Sequence, residues 1–514
     1  MARDGILLDN FSGGLNNVTD ASLIADNEMH EALNVVLTKN GKAISRFPFL
    51  IEKAKPTGAT TIKPLGYFRN EDGVVYMVVS ASNNKTWLYR FSNQTWTDTG
   101  ATFAAADMTT YYNRLYLVNP AGAGGYYSKV SGSYTFTTIA AMPAGNQIHY
   151  TKGRIYISSR ALGNTSTIRY SDITAIGFSI DSFPTSNVID VNEGDGELLL
   201  KIVEGNNELF LFRSNSTWRL AFGASAEPTD GTLTLMSSTI GVDNEYGVAV
   251  GENYLAVMYA GTLYRFAGYN FYPINDANKV VFETLAGGYS IPTAVSKVGP
   301  YLLAWYYGSI YCFDTEAGAW TQWTSTLDAA FFMEAPRGTL SAANEAITAF
   351  GVGASTSQQS LLKFALEHPS VTSNETIKCK VTTRTYDAGL PTKFKRLFGW
   401  ELLTVAVNSI KASITAIESE ITPITWKTLQ TYTWATANSN AIPWTPVGTQ
   451  PVIINGLASS YPKPQVLKVS GKTTFKRAYF TIEFSNNGTA AQSPSRLDGI
   501  VLYLTAGRRL AMEQ

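Results

Sequence analysis

Cysteine, histidine and charged residues are all scarce in this chain. Its 514 residues include 2 cysteines and 3 histidines, and 16% are Asp, Glu, Lys or Arg. Cys312 and Cys379 lie in separate strand-like patterns, so we expect buried free thiols and no stabilising disulfide. His30, His149 and His368 have no partner at metal-ligand spacing, which argues against a histidine-based metal centre.

Long apolar runs are also absent. Hydrophobic residues make up 45% of the chain, yet no apolar run approaches the roughly 18 residues of a membrane-spanning helix. Residues 1–5 lack the apolar core of a secretory signal, so we expect the chain to fold in a cytoplasm.

The common catalytic motifs are missing. Neither a Gly-x-Ser-x-Gly nucleophile elbow nor a Walker-type phosphate loop is present. Residues 190–197 resemble a calcium loop, but Gly194 stands at the fifth position, so a tight acidic turn is the alternative. Residues 314–320 resemble the Asp-box turn of sialidase blades, although this motif occurs once and without its leading Ser. We predict no enzymatic activity, catalytic residue, metal or cofactor.

The chain does contain a repeat with a period of about 40 residues. In each copy a Gly- or Asn-rich turn precedes an apolar or aromatic strand. The copies begin at Gly73, Asn113, Gly153, Asn207, Asn253 and Gly299. This period indicates a β-propeller, because a four-stranded blade buries its two faces only against neighbouring blades.

The repeat divides residues 60–368 into about seven units. They start near Lys63, Ala104, Gly145, Asn187, Val242, Ser290 and Asp328. The last unit has the weakest pattern, so six blades are the alternative. Paired aromatic segments at residues 87–96, 263–272 and 310–320 predict outer hairpins whose register is set by cross-strand aromatic contacts.

Both flanks of the repeat have patterns of their own. Residues 26–33 predict one short helix capped by Asp26, and residues 34–46 predict a hairpin with its turn at 39–42. The longer alternating strands after residue 370 favour an antiparallel sandwich. We therefore predict an all-β protein with an N-terminal docking segment (1–58), a propeller (59–368) and a sandwich-like region (369–514).

The net charge is zero but unevenly distributed. Residues 371–514 contain 16 basic and 8 acidic residues, so the remaining 24 and 32 give residues 1–370 an excess of eight negative charges. Such asymmetry is typical of subunits that dock electrostatically, and chance variation over solvated faces is the alternative.

The N-terminal segment resembles that of bacteriophage tail propeller proteins. The similarity starts with the Phe-Ser-Gly-Gly-Leu-Asn motif at residues 11–16 and continues through residues 26–35 and 41–46. Blade motifs at residues 190–220 and 238–268 extend it over most of residues 5–320, and residues 496–510 also fit.

The resemblance implies a tail nozzle or distal tail-tube protein in the virion of a short-tailed phage, assembled in the host cytoplasm. Such subunits form a ring, expected to be a homohexamer, around the DNA exit channel. The implied partners are an adaptor or connector ring, tail fibres or a tail plug, and genomic DNA that passes without sequence-specific binding. We expect an acidic lumen, along which DNA slides. The expected partner-docking residues are Phe11, Gly13, Gly14, Leu15, Asn16, Arg46, Arg508 and Arg509.

Two other classes of protein are alternatives. A carbohydrate-binding or glycan-cleaving propeller, acting as a phage receptor-binding protein, would require carboxylates that converge at the central pocket. A bacterial adhesin or scaffold would require a route out of the cell, which residues 1–5 do not supply.

Overall fold

A computed structural model describes most of the chain, and its regular elements are strands apart from one 3-10 turn at Pro228–Asp230. The described residues are 4–158, 166–173, 180–192, 195–223, 228–275, 279–284, 291–336, 347–353, 360–366, 375, 377–387, 395–405, 409–417, 452–455, 464–475, 477–486 and 495–506.

The N-terminal segment consists of short strands separated by turns. They are β1 (Asp4–Leu8), β2 (Gly14–Leu15), β3 (Glu28–Leu33), β4 (Val35–Leu37), β5 (Ala43–Ser45) and β6 (Phe49–Ala54). The hairpin predicted for residues 34–46 is confirmed, because β4 and β5 pair antiparallel. The helix predicted for residues 26–33 is wrong, because β3 lies there.

Four-stranded antiparallel sheets follow as the blades of a propeller. Blade one contains β7 (Ile62–Arg69), β8 (Val75–Ala81), β9 (Lys85–Arg90) and β10 (Thr95–Asp98); blade two contains β11 (Asp107–Tyr111), β12 (Arg114–Val118), β13 (Gly125–Val130) and β14 (Ser133–Thr138). Blade three contains β15 (Gln147–Thr151), β16 (Arg154–Ser158), β17 (Thr167–Tyr170) and β18 (Val188–Asp190); blade four contains β19 (Leu199–Gly205), β20 (Glu208–Arg213), β21 (Thr217–Ala221) and β22 (Thr232–Ser237); blade five contains β23 (Val248–Val250), β24 (Leu255–Tyr259), β25 (Thr262–Ala267) and β26 (Asn270–Pro273). Blade six contains β27 (Thr293–Val298), β28 (Tyr301–Tyr306), β29 (Ser309–Asp314) and β30 (Ala319–Trp323), and blade seven contains β31 (Ala329–Glu334), β32 (Thr348–Gly353), β33 (Ser360–Ala365) and β6.

The blades form a closed ring. The first strands of adjacent blades contact each other from blade one to blade four and from blade five to blade seven, and β32 contacts β7. Blades four and five share a hydrophobic core in which the rings of Phe210 and Phe266 lie 5.1 Å apart. The propeller is confirmed, and the described residues contain seven blades, not six.

The six copies of the repeat in the sequence correspond to the first turns of blades one to six. Two consecutive residues adopt positive φ at Tyr112-Asn113 (45° and 59°), Lys152-Gly153 (51° and 78°) and Asn206-Asn207 (55° and 63°). Such pairs are typical of type I′ turns, whose twist matches that of a two-residue hairpin and which favour Asn and Gly. The regular spacing of these two residue types therefore reflects a backbone requirement.

Aromatic pairs hold the outer hairpins together, as predicted. Ring centroids lie 5.0 Å apart for Tyr89 and Trp96 in blade one, and 5.0 Å apart for Phe313 and Trp320 in blade six. Each pair is also a direct cross-strand pair in the register of its hairpin, so side-chain packing and backbone pairing specify the same alignment.

The C-terminal region forms two sheets that share strands with the N-terminal segment. Its strands are β34 (Ile377–Thr383), β35 (Lys395–Val405), β36 (Ser409–Ile417), β37 (Val452–Asn455), β38 (Pro464–Phe475), β39 (Arg477–Asn486) and β40 (Arg496–Ala506). One sheet has the order β38-β35-β40-β5-β4, with β1 also paired to β40; in the other, β3 joins blade six to β34-β39-β36-β37. Trp400 of the first sheet and Phe480 of the second have ring centroids 5.6 Å apart in a common core.

Strand β3 explains why the helix prediction failed. Its backbone pairs with β34 on one side and with β2 and β30 on the other, and Met29 and Ala32 are buried in the sandwich core. Tertiary pairing thus overrides a local helix preference of less than about 1 kcal/mol per residue. Residues 4–54 contribute strands to both sandwich sheets and to blade seven, and do not stand apart as a docking segment.

Both cysteines are buried and free, as predicted. Burial raises the pKa of the Cys379 thiol to about 12, so at neutral pH it is a protonated, unreactive core side chain.

We expect Phe49→Ala to destabilise blade seven, where β6 closes the propeller. Phe49 is fully buried on β6, and its ring centroid lies 5.2 Å from that of Phe332 and 5.1 Å from that of Phe364. Removing the ring should lower the free energy of unfolding by about 3–5 kcal/mol, measured by urea denaturation. The control is Ile51→Ala on the same strand, where the side chain is 43% exposed; equal losses in the two variants would contradict the account.

Candidate functional site

The N-terminal clasp, defined here as residues 9–54, contains most of the predicted docking residues. Phe11 and Leu15 are buried in the core shared by blade six and the sandwich. Gly14 has φ of +72°, and a Cβ there would lie 2.8 Å from the carbonyl oxygen of Trp320. The Gly-Gly pair therefore allows the chain to pass directly against blade six.

A buried carboxylate fixes the start of the clasp. Asn16 Nδ2 donates to Glu28 Oε2 at 3.0 Å, and Lys279 Nζ lies 2.8 Å from Glu28 Oε1. Burial alone would raise the pKa of Glu28, but hydrogen bonds from Lys279, the Ala25 amide and Asn16 lower it below its ordinary value. The clasp is thereby tied to the segment that precedes blade six.

The end of the clasp is fixed by a buried ion pair between Arg46 and Glu375. Both side chains are 1% exposed, and Arg46 Nη2 lies 2.7 Å from Glu375 Oε1. The five N–H donors of Arg46 make five hydrogen bonds; the acceptors are both Glu375 oxygens, Asn34 Oδ1 and the carbonyl oxygens of Phe47 and Thr324. Such complete satisfaction is what makes a buried guanidinium tolerable.

Glu375 connects blade seven to this pair, because it also accepts hydrogen bonds from the backbone amides of Phe49 and Thr326. Asn34 connects the sandwich: its Nδ2 donates to Thr324 Oγ1 and to the Lys378 carbonyl oxygen, both at 2.9 Å. We call Asn34, Arg46, Thr324 and Glu375 the junction, since together they join the clasp, blades six and seven and the sandwich.

The predicted docking residues pack within the chain itself. Phe11, Gly14, Leu15, Asn16 and Arg46 are buried, and a Cβ on Gly13 would lie 2.7 Å from Glu28 Cγ. In the single chain these residues join segments of the same chain to each other, and their contact with a partner stays a prediction. Arg508 and Arg509 lie outside the described residues.

Sequence reasoning missed Asn34, Thr324 and Glu375. One signal was present, because Arg46 directly precedes the apolar run Phe47-Pro48-Phe49-Leu50. An arginine that is buried together with such a run requires an acidic partner. The sequence does not indicate which of 40 acidic residues that partner is, because Glu375 lies 329 positions away.

Asp195 and Glu197, from the segment considered above as a calcium loop or an acidic turn, bind an arginine of the same chain. Both Asp195 oxygens accept from Arg213, whose side chain is 1% exposed, and Glu197 Oε2 lies 3.4 Å from Arg213 Nη1. The hydrogen bond from Arg213 is the main reason that the pKa of Asp195 falls to about 2, although burial opposes it. The described part of the chain contains no cluster of three His, Cys, Asp or Glu residues that could hold a metal ion.

A cavity of about 310 Å³ lies on the propeller axis and is lined by the first strands of all seven blades. Its lining contains three residues of each charge sign. They are Lys63, Lys201, Lys297, Asp107, Glu245 and Glu334. The axial cavity thus combines charge with the apolar surface of Val295, Phe331 and neighbouring residues.

The three carboxylates of the axial cavity are all engaged within the chain. Glu245 Oε1 lies 2.8 Å from Lys63 Nζ. Glu334 Oε2 accepts from the Gly299 amide at 2.8 Å, and Asp107 Oδ2 from the Ile148 amide at 3.2 Å. His149 follows Ile148 in the chain, and its Nε2 lies 3.1 Å from Glu204 Oε2. Each of the three cavity carboxylates thus has at least one partner within the chain.

Comparisons with known proteins find similarity at the level of the fold. No family model matches the chain, and no curated protein matches it significantly. Similar solved structures include BamB from Moraxella catarrhalis (9% identity, TM-score 0.39, 60% of this chain and 84% of that one) and the AfRom2 CNH domain (8%, 0.40, 62% and 98%). A chain of the mitotic checkpoint complex is also similar (11%, 0.39, 62% and 94%).

At these identities and TM-scores the neighbours carry no argument about function. The class of protein is defined by the sheet pairing itself: a seven-bladed β-propeller joined through an N-terminal clasp to a two-sheet C-terminal region. Within the described ranges, no helix is both long and apolar enough to cross a membrane.

We expect Arg46→Leu to lower the free energy of unfolding by about 3–5 kcal/mol, because Glu375 would remain buried without its counter-charge. The double variant Arg46→Leu/Glu375→Leu should lose less than the single one, which a double-mutant cycle of urea denaturation measures. The control is Lys39→Met in the exposed Lys39–Glu316 pair, which should change the stability little because solvent screens such pairs. Similar losses for Arg46→Leu and Lys39→Met would contradict the role of the junction.

The Asp195–Arg213 pair should make stability depend on acid pH. Because the pKa of Asp195 is lowered in the folded chain, its contribution is fully present above about pH 5 and is lost as the pH falls toward about 2. Asp195→Asn should therefore lower the unfolding midpoint at neutral pH and have a shrinking effect as the pH falls. The control is Glu71→Gln in an exposed pair with Lys129; a pH-independent effect of Asp195→Asn would exclude the mechanism.

Proposed function

We propose that this chain is a structural subunit of a short-tailed phage tail, a nozzle or distal tail-tube protein that surrounds the DNA exit channel as a ring of copies. The proposal rests mainly on the position of the N-terminal motif that resembles bacteriophage tail propeller proteins. Its residues form the clasp that joins propeller and sandwich through the buried junction. A ring that withstands DNA ejection requires subunits whose parts keep a fixed geometry.

The size of the axial cavity also supports a ring made of several copies. A volume of about 310 Å³ is far too small for duplex DNA, whose major groove alone is about 12 Å wide. A DNA channel would therefore have to lie between subunits. Closed cyclic symmetry is the usual way in which identical subunits surround such a channel.

The charge distribution supports the same arrangement. The first 370 residues carry an excess of acidic groups and the last 144 an excess of basic ones, which favours docking of unlike faces on a neighbouring copy or on an adaptor ring. If the acidic part faces the lumen, like charge keeps DNA from adhering to the wall. Tail fibres or a plug on the far side complete the proposed assembly.

We expect native mass spectrometry and negative-stain images to reveal a ring with sixfold symmetry, either for the purified chain or after mixing with the other tail proteins of its virion. A closed ring is expected because head-to-tail contacts between identical subunits stop adding copies once the last subunit contacts the first. A chain that stays monomeric in both conditions, or a trimer that binds glycans, would contradict the proposal and favour a receptor-binding propeller.

A further inference from the structure

Two lysines of the axial cavity lack the partners that its other charged residues have. Lys201 on β19 and Lys297 on β27 both line the cavity, and both are partly buried. Neither side chain forms a hydrogen bond or ion pair with any residue that the structure describes. By contrast, Lys63 in the same cavity is paired with Glu245 and donates to the Ala106 carbonyl oxygen. Two partly buried ammonium groups that pair with none of the cavity carboxylates favour an anionic ligand.

A buried acceptor in the same cavity is also unsatisfied. Gln147, on β15, is 2% exposed and lines the cavity. Its Nε2 donates to the Asn146 carbonyl oxygen at 3.0 Å, but its Oε1 has no hydrogen-bond partner. A buried amide oxygen left without a donor costs about 1–3 kcal/mol, so a ligand hydroxyl at this position would relieve the cost.

We propose that the axial cavity is a binding site for a small hydroxylated carboxylate of the sugar-acid class. Lys201 and Lys297 neutralise the carboxylate, and Gln147 Oε1 accepts a hydrogen bond from a hydroxyl group. The aromatic rings of Tyr246 and Phe331, whose centroids lie 4.9 Å apart, supply apolar surface for the C–H groups of the ligand. The volume of about 310 Å³ lies at the lower end of small-molecule sites, which start at about 300 Å³.

This site is independent of the proposed ring, because residues of a single propeller build it. It requires no catalysis, since the cavity carboxylates are engaged within the chain. A receptor-binding role would follow only if the sugar acid belonged to a surface glycan.

Isothermal titration of the full chain with sodium D-glucuronate tests the proposal, with D-glucose and inorganic phosphate as comparison ligands. We expect saturable binding of glucuronate, at least about tenfold weaker binding of glucose, and an affinity loss of about tenfold in Lys201→Met and in Lys297→Met, the loss typical of one charge-assisted hydrogen bond. The control Lys363→Met changes a partly exposed lysine on β33 that does not line the cavity and should bind as the unchanged chain does.

Gln147→Met should weaken glucuronate binding while the thermal midpoint stays near that of the unchanged chain. The assignment would be overturned if glucuronate showed no saturable binding, or if Lys201→Met and Lys297→Met both bound glucuronate as tightly as the unchanged chain does. It would also be overturned if glucose bound as tightly as glucuronate, or if phosphate bound in preference to glucuronate.

Discussion

The ion pair between Arg46 and Glu375 joins parts of the chain that are hundreds of residues apart. Arg46 belongs to the clasp, Glu375 precedes the first sandwich strand, and Glu375 Oε2 also accepts from the amide of Phe49 on the strand that closes blade seven. Two charges this deeply buried are costly unless each is fully hydrogen-bonded. The geometry that satisfies them therefore fixes the positions of the clasp, blades six and seven and the sandwich together.

Ring closure and domain joining are consequently one structural feature. Strand β6 supplies the outer strand of blade seven, and β3 of the same clasp continues blade six into a sandwich sheet. A propeller closed by its own N-terminal strand needs that strand to stay in place. Strand β6 is held by the apolar packing of Phe49 and by the junction, whose Glu375 accepts a hydrogen bond from the Phe49 amide.

Patterns set by the local backbone were predictable from the sequence, and features set by distant contacts were not. Asn113, Gly153 and Asn207 sit where type I′ turns require positive φ, so their spacing predicted the blades. The segment around Met29 has a helix-like pattern but pairs as a strand. Its longest pairing is with β34, more than 300 residues away in the chain, so the local pattern carried no sign of it. Gln147 and Lys201 carry no sequence signal of a site, since only the closed ring brings their strands to one axis.

Hydrogen–deuterium exchange of the intact chain tests most directly whether clasp, propeller and sandwich form one cooperative unit. The account predicts that the amides of Glu28–Leu33 and Phe49–Ala54 are protected as strongly as those of an inner blade strand such as Leu255–Tyr259, and that Arg46→Leu removes protection from both clasp strands together. Rapid exchange in the clasp strands of the unchanged chain, with the blades still protected, would contradict it.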